Sequence, residues 1–185
     1  DIFVESPVAH PSVMVRRQQL LEVGGYQDRG WPEDYDLWLR YHERGAIFAK
    51  IEETLLWWRQ SAGRLTFSDS RYSVENFLRA KAHYIARRLA GTDRQVVLWG
   101  AGRIGKRLMR HLFREKVVLS AVVDIDPKKI GRVARGVEIV PREYLLRNKD
   151  CFVVAAVGSS GAREQIRSYL KGNGFVESRD FLCAA

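Results

Sequence analysis

The chain has 185 residues, 46% of them hydrophobic, which leaves room for one ordinary domain or two small ones and excludes disorder by composition. Charge is uneven: residues 92–185 hold 18 Lys and Arg against 10 Asp and Glu, and residues 1–91 hold 13 against 12. The asymmetry predicts two units with different partners, and no apolar run approaches the ~18 residues of a membrane-spanning helix.

The opening stretch, Asp1 to Ser12, has neither an initiator Met nor a signal-peptide pattern and reads as part of a longer chain. "SVMVRRQQLLEVGGY" predicts a short strand and then a helix from about Arg16 to Val23, stopped at Gly24-Gly25. In "GWPEDYDLWLRYHERG" a helix follows Pro32 and ends before Gly45. "AIFAKI" and "ETLLWWR" predict two short strands, and "SAGRLTFSDS" a polar loop. From Arg71 to Ala90, Val74, Phe77, Leu78, Ile85 and Leu89 recur at helical spacing. This helix carries five basic residues against Glu75 and reads as a linker over 71–91, with a solvated face or contact with an acidic surface as the alternatives.

After Gly91 the pattern changes. "QVVLW", "VVLSAVVD", "VEIV" and "CFVVAAV" are apolar runs without alternation, separated by helical stretches after Gly105, after Pro141 and from Ala162 to Lys171. That is the signature of a parallel sheet covered on both faces. Cys151 and Cys183 fit no metal or redox spacing and read as reduced thiols of a cytoplasmic protein. The four histidines form no metal spacing either.

Between the first buried strand and the helix lies Gly100-Ala-Gly-Arg-Ile-Gly105. Gly100 permits a tight turn, Gly102 a close approach to a pyrophosphate, and Gly105 close helix–strand packing. The helix N-terminus suits a phosphate. Asp124, about 20 residues on, is placed to bind ribose hydroxyls, with Asp126 either sharing that role or starting the turn at Pro127. This context predicts NAD(P) or another nucleotide; NAD is favoured because Asp124 would repel a 2′-phosphate, an effect that Arg103 or Lys128 would blunt. The competing reading is a bare structural turn. No Tyr-x-x-x-Lys occurs, so this half shows no oxidoreductase chemistry of its own.

Glu33, Asp34 and Asp36 open the helix after Pro32, where carboxylates favour the helix dipole, and Asp36 can pair with Arg40 at i,i+4. The stretch from His10 to Gly45 resembles the acceptor-side half of family 2 glycosyltransferases of GT-A fold, on Arg16, Gly24-Gly25-Tyr26, Glu33-Asp34, Asp36-Leu37-Trp38-Leu39-Arg40 and Gly45. The resemblance covers about residues 8–60. It implies Asp34 as general base, Glu33 as its supporting acid, and Arg40 and Arg59 as substrate contacts. The segment Trp58-Arg59-Gln60-Ser61 has Ser61 where the family often carries His. The family's donor half with its Asp-x-Asp motif is absent, so a divalent Mg or Mn ion is expected only in a longer enzyme. The C-terminal half, through "GAGRIG", "VVDIDPKKIG", "VEIVP", "AVGSSGAREQI" and "DFLCAA", resembles small Rossmann-like domains appended to glycosyltransferases and sugar-modifying enzymes of surface-polysaccharide pathways.

The expectation is therefore an α/β chain: a partial GT-A-type segment over 1–70, a helical linker over 71–91 and a small Rossmann-like parallel-sheet domain over 92–185. The resemblance implies an inactive portion of a glycosyltransferase using a nucleotide sugar and a saccharide or lipid-linked acceptor, cytoplasmic with peripheral contact at the inner membrane face. Nucleic acid is not expected, since no recognised motif accompanies the charge. The alternatives are a non-catalytic regulatory module binding NAD(P) or a nucleotide sugar, and a sugar-nucleotide oxidoreductase or epimerase.

Overall fold

A helix rich in carboxylates at its start and aromatic residues at its centre organises the first part of the chain. The computed structural model describes residues 1–59, 61 and 63–185. They form two compact units: Ile2 with Ser6–Ala80, and Asp1 with Phe3–Glu5 and Lys81–Ala185.

In the first unit, α1 spans Arg17–Glu22 and is closed by the N–H groups of Gly24 and Gly25, which donate to Leu21 and Leu20 carbonyls at 2.9 Å. Next, α2 spans Glu33–Glu43 with Pro32 at its N-cap. Its face of Tyr35, Leu37, Trp38, Leu39 and Tyr41 is buried. Asp36, fully buried, accepts from Trp31 Nε1 at 2.9 Å and from Arg40 Nε at 2.8 Å. A short α3, Leu65–Ser68, and a 3-10 turn, Ser70–Tyr72, interrupt the predicted loop.

The predicted strands of this region do not form. Residues 13–16 form no strand, after a 3-10 turn at His10–Ser12. Residues 46–59 carry no strand, and Ile47, Ile51, Leu55 and Trp57 point outward. A strand needs a neighbour for its backbone groups, and none of the described residues supplies one. Gln60 lies outside the described residues. The described part of this unit is helical and irregular, not a GT-A-type α/β layer.

Helix α4, Val74–Leu89, runs through the unit boundary between Ala80 and Lys81. Leu78, Ala82, Tyr84, Ile85 and Leu89 are buried in it.

The second unit is built on β1 (Gln95–Trp99), α5 (Arg103–Arg114), β2 (Leu119–Val123), β3 (Val133–Ala134), β4 (Val137–Val140), α6 (Tyr144–Arg147), β5 (Cys151–Ala155), α7 (Ala162–Gly172) and β6 (Phe181–Cys183). The sheet order is β3-β4-β2-β1-β5-β6. Every pairing is parallel except β3 with β4. Val97, Trp99, Val123, Val153, Leu170 and Phe181 anchor a core on this sheet. It is a six-stranded, mostly parallel sheet of Rossmann-like form. The strand order reverses between β1 and β5, and that is where a crevice opens at the carboxyl edge.

Candidate functional site

The crevice is built by the loops that leave β1, β2, β4 and β5. It encloses about 570 Å³ and is lined by Gly100, Gly102, Arg103, Asp124, Lys129 and Tyr169 among others. The glycines divide by what a side chain would meet. Gly100 holds φ +126°, and a Cβ there would lie 2.7 Å from the Ala156 carbonyl oxygen. At Gly105 a Cβ would lie 1.8 Å from the Gly100 carbonyl oxygen, so only glycine lets α5 start this close to β1. Gly102 is different: its φ is −81°, open to any residue, and a Cβ would meet nothing within 4 Å. As N-cap of α5 it offers no side-chain hydrogen bond to the first-turn amides, which have no i−4 carbonyl to bond.

Asp124 stands at the end of β2, beside the loop, but its carboxylate turns inward. Oδ2 accepts from the Ala101 amide at 2.8 Å, Oδ1 from the Asp126 amide at 2.9 Å, and Lys129 Nζ lies 3.2 Å from Oδ2. Burial pushes this carboxyl up in pKa, and the two amides with Lys129 outweigh it, holding it below the usual carboxylate range. Asp126 accepts from the Lys128 amide at 3.0 Å and so does start the turn, while also lining the crevice.

On the opposite wall the loop Gly158-Ser159-Ser160-Gly161 was legible in the sequence as a second glycine loop at this edge, whereas Arg142, Gln165 and Tyr169 were not singled out. Ser159 and Ser160 follow β5, Arg142 follows β4, and Gln165 and Tyr169 face inward from α7. The Arg142 guanidinium sits 4.8 Å from the Tyr169 ring centre, and Tyr169 meets Trp99 edge-on at 5.4 Å. The available signal was topological: Ser159, Ser160 and Arg142 follow the carboxyl end of a strand, Gln165 lies in the first turn of α7, and Tyr169 lies further along that helix.

The other predicted residues lie in the first unit. Glu33 accepts from Tyr72 Oη at 2.9 Å, and Asp34 Oδ1 accepts from the Tyr35 amide at 2.7 Å. Burial raises the Asp34 carboxyl above its ordinary value, with Glu33 adding to the rise and the Tyr35 amide and His10 opposing it. Arg40 is buried on Asp36 and donates through Nη1 to the Val23 carbonyl at 2.5 Å. The structure thus corrects Arg40 from a substrate contact to an internal brace, since its ion pair faces the interior. Arg59 is exposed in the irregular segment. Among the described residues, no group of three or more His, Cys, Asp or Glu could hold a metal ion. None of their helices is long and apolar enough to cross a membrane.

No protein-family model matches the chain, and no curated protein does. Among solved structures, it is similar to RSP in complex with beta-NADH, at 18% identity and TM-score 0.39, over 56% of this chain and 60% of that one. It is similar to RSP described as a Rex-family repressor, at 14% identity and TM-score 0.41, over 92% of this chain and 87% of that one. A third structure, RSP with beta-NAD+ and operator DNA, gives 14% identity and TM-score 0.39 over 90% and 77%. The chain therefore spans 60% of the first of these proteins. At such identities no residue's role carries across.

Two expectations are corrected here. The glycosyltransferase resemblance does not stand: no family model matches, and these solved structures are of a repressor. The surface-polysaccharide role and the sugar acceptor rested on it and go with it. Nucleic acid was set aside for want of a motif; that exclusion is withdrawn, because one of these structures holds operator DNA.

Proposed function

We propose that the second unit is a non-catalytic nucleotide-binding module that takes a dinucleotide of the NAD(P) type in the crevice at the carboxyl edge of its sheet. The observation that carries this reading is Gly102. Gly100 and Gly105 are explained by packing alone, whereas the backbone at Gly102 tolerates any residue and faces open crevice. A glycine without a packing reason, at the N-cap of a 12-residue helix, suits a phosphate that must approach the main chain closely.

In this reading the pyrophosphate rests on the amides of Gly102 to Gly105, with Arg103 adding charge. Asp124 braces the loop through Ala101 and is neutralised by Lys129, so the ribose meets Asp126 as well as the outer edge of Asp124. The exposed Ile125 side chain supplies an apolar edge for a base. Ser159, Gln165, Arg142 and Tyr169 hold the second half of the ligand. Because Lys129 offsets the Asp124 charge, the preference for NAD over NADP is small.

The test is calorimetric titration of the chain with NAD+, NADH, NADP+ and a uridine-diphosphate sugar. A dinucleotide is expected to bind tighter than about 1 mM, or roughly −4 kcal/mol. Gly102→Val should abolish that binding and leave the melting curve in place. Failure of every dinucleotide to bind at that level would make the loop a structural turn.

A further inference from the structure

The first unit leaves one feature unexplained, the run from Ala46 to Leu56. Among the described residues, 13 large hydrophobic side chains of Ser6–Ala80 are exposed, against 5 in the larger second unit. Seven of the 13 lie between Ile47 and Trp58. Apolar surface gathered in one short segment marks an interaction surface.

Ile47, Ile51 and Leu55 are 93%, 65% and 68% exposed, and in an extended chain these odd-numbered residues share one face. Phe48 lies on the other face and meets Trp38 edge-on, ring centres 6.4 Å apart, which ties the run to α2. The Ala46 amide closes α2 by donating to the Tyr41 carbonyl at 3.0 Å. From Ile47 to Leu56 no backbone hydrogen bond is made among the described residues. The run contains no glycine or proline, and none of its residues has a positive φ, so it can extend into a strand without strain.

The charges decide what can pair with it. Laid antiparallel on itself with Ile51 on a two-fold axis, the run sets Lys50 opposite Glu52 and Glu52 opposite Lys50. Ile51 then meets Ile51, Ile47 meets Leu55, and Phe48 meets Thr54. Ala49 meets Glu53, whose carboxylate reaches past a methyl group to water. Trp57 falls opposite Gly45, which leaves room for the indole. Moving the axis by one residue sets Lys50 on Lys50 or Glu52 on Glu52, and moving it by half a residue sets Ile51 against a charge. At their present exposure the apolar side chains from Ile47 to Trp57 offer on the order of 800 Å² per chain, one partner's share of a standard interface.

We propose that residues 46–56 pair antiparallel with the same residues of a second copy of this chain, about a two-fold axis through Ile51. A bilayer is a poorer occupant, because Lys50, Glu52 and Glu53 sit in the middle of the run and would have to leave water.

The test is sedimentation velocity of the full chain from about 1 to 100 µM, where an interface of this size is expected to give a dimer. Lys50→Glu and Glu52→Lys, both at exposed sites, each set like charges opposite one another and should weaken the dimer at least about 10-fold. An equimolar mixture of the two variants should recover it, because every carboxylate at these positions then faces an ammonium group across the axis. Neither variant keeps the Lys50–Glu52 pair within its own chain, so the recovery reads the pairing between chains alone. Ile51→Cys should cross-link to its own copy on air oxidation, and Leu55→Cys should not; the native Cys151 and Cys183 are buried. Circular dichroism of each variant reports the fold. A chain that stays monomeric at about 100 µM would overturn the proposal. So would a dimer that Lys50→Glu leaves unchanged, a mixture that stays monomeric, or cross-linking through Leu55→Cys as ready as through Ile51→Cys.

Discussion

At the scale of single residues, three glycines of one motif do three different jobs. Gly105 has the hardest constraint, since a Cβ would lie 1.8 Å from the Gly100 carbonyl oxygen. That atom is backbone at the end of β1 and cannot move without breaking the loop. Gly105→Ala is therefore expected to cost at least about 2 kcal/mol, as overpacking against main chain does. Gly102→Ala should change stability by less than about 0.5 kcal/mol. Urea midpoints of the two variants check this; equal losses would remove the distinction on which the ligand reading rests. The motif spacing made all three positions legible in the sequence, but not which of them the fold itself needs. Asp124 shows the same limit. Its distance from the loop was readable; that Ala101 and Lys129 take up its carboxylate depends on how the two loops close.

At the scale of elements, what could be read was what satisfies its own hydrogen bonds or is buried on both faces. Helices α2, α4, α5 and α7 and strands β1, β2, β4 and β5 were all marked by helical periodicity or by unbroken apolar runs. The two-residue β3 and the three-residue β6 were missed, being too short to show a pattern. Residues 46–59 were mistaken for strands because apolar, β-prone sequence says nothing about whether a partner is present. What fixes β6 is a polar clamp. Asp180, just before it, accepts from the Val176 amide at 2.7 Å, from Arg179 Nη2 at 2.8 Å and from Arg94 Nη2 at 3.1 Å. Arg179 leads in holding its pKa down to about 2, against the opposing effect of burial. A carboxyl depressed in the folded state adds stability that is present above its unfolded value and lost as pH falls through about 2. Asp180→Asn should cost roughly 1–2 kcal/mol at neutral pH, with the gap to wild type closing in acid. Urea denaturation at pH 7 and at successively lower pH measures it; a gap independent of pH would assign the loss to packing.

At the scale of the whole chain, the ties that close the second unit were hidden by sequence distance. Lys81, only 8% exposed, donates to the Val4 carbonyl at 2.7 Å and to the Ala184 carbonyl at 2.9 Å. One side chain on α4 thus holds both a segment near the start of the chain and its last strand's exit. Burial pushes its pKa down to about 8, with Glu5 opposing that shift and Arg163 adding to it. The sign follows from the folded value lying below the unfolded one of 10.5. Below about pH 8 both states carry the proton, and the folded state bears the full cost of a buried charge. Between about pH 8 and 10.5 the folded protein releases the proton first, and the cost, at most about 3 kcal/mol, is progressively relieved. A neutral amine still has two N–H groups for the two carbonyls, so the tie survives deprotonation. Lys81→Met loses both hydrogen bonds at every pH but never carries the charge. Wild type should therefore gain on the variant as pH rises from 7 to 10, by roughly 2 kcal/mol in urea unfolding. A difference that stays flat over that range would mean that water reaches the ammonium group and that the tie is made at no electrostatic cost.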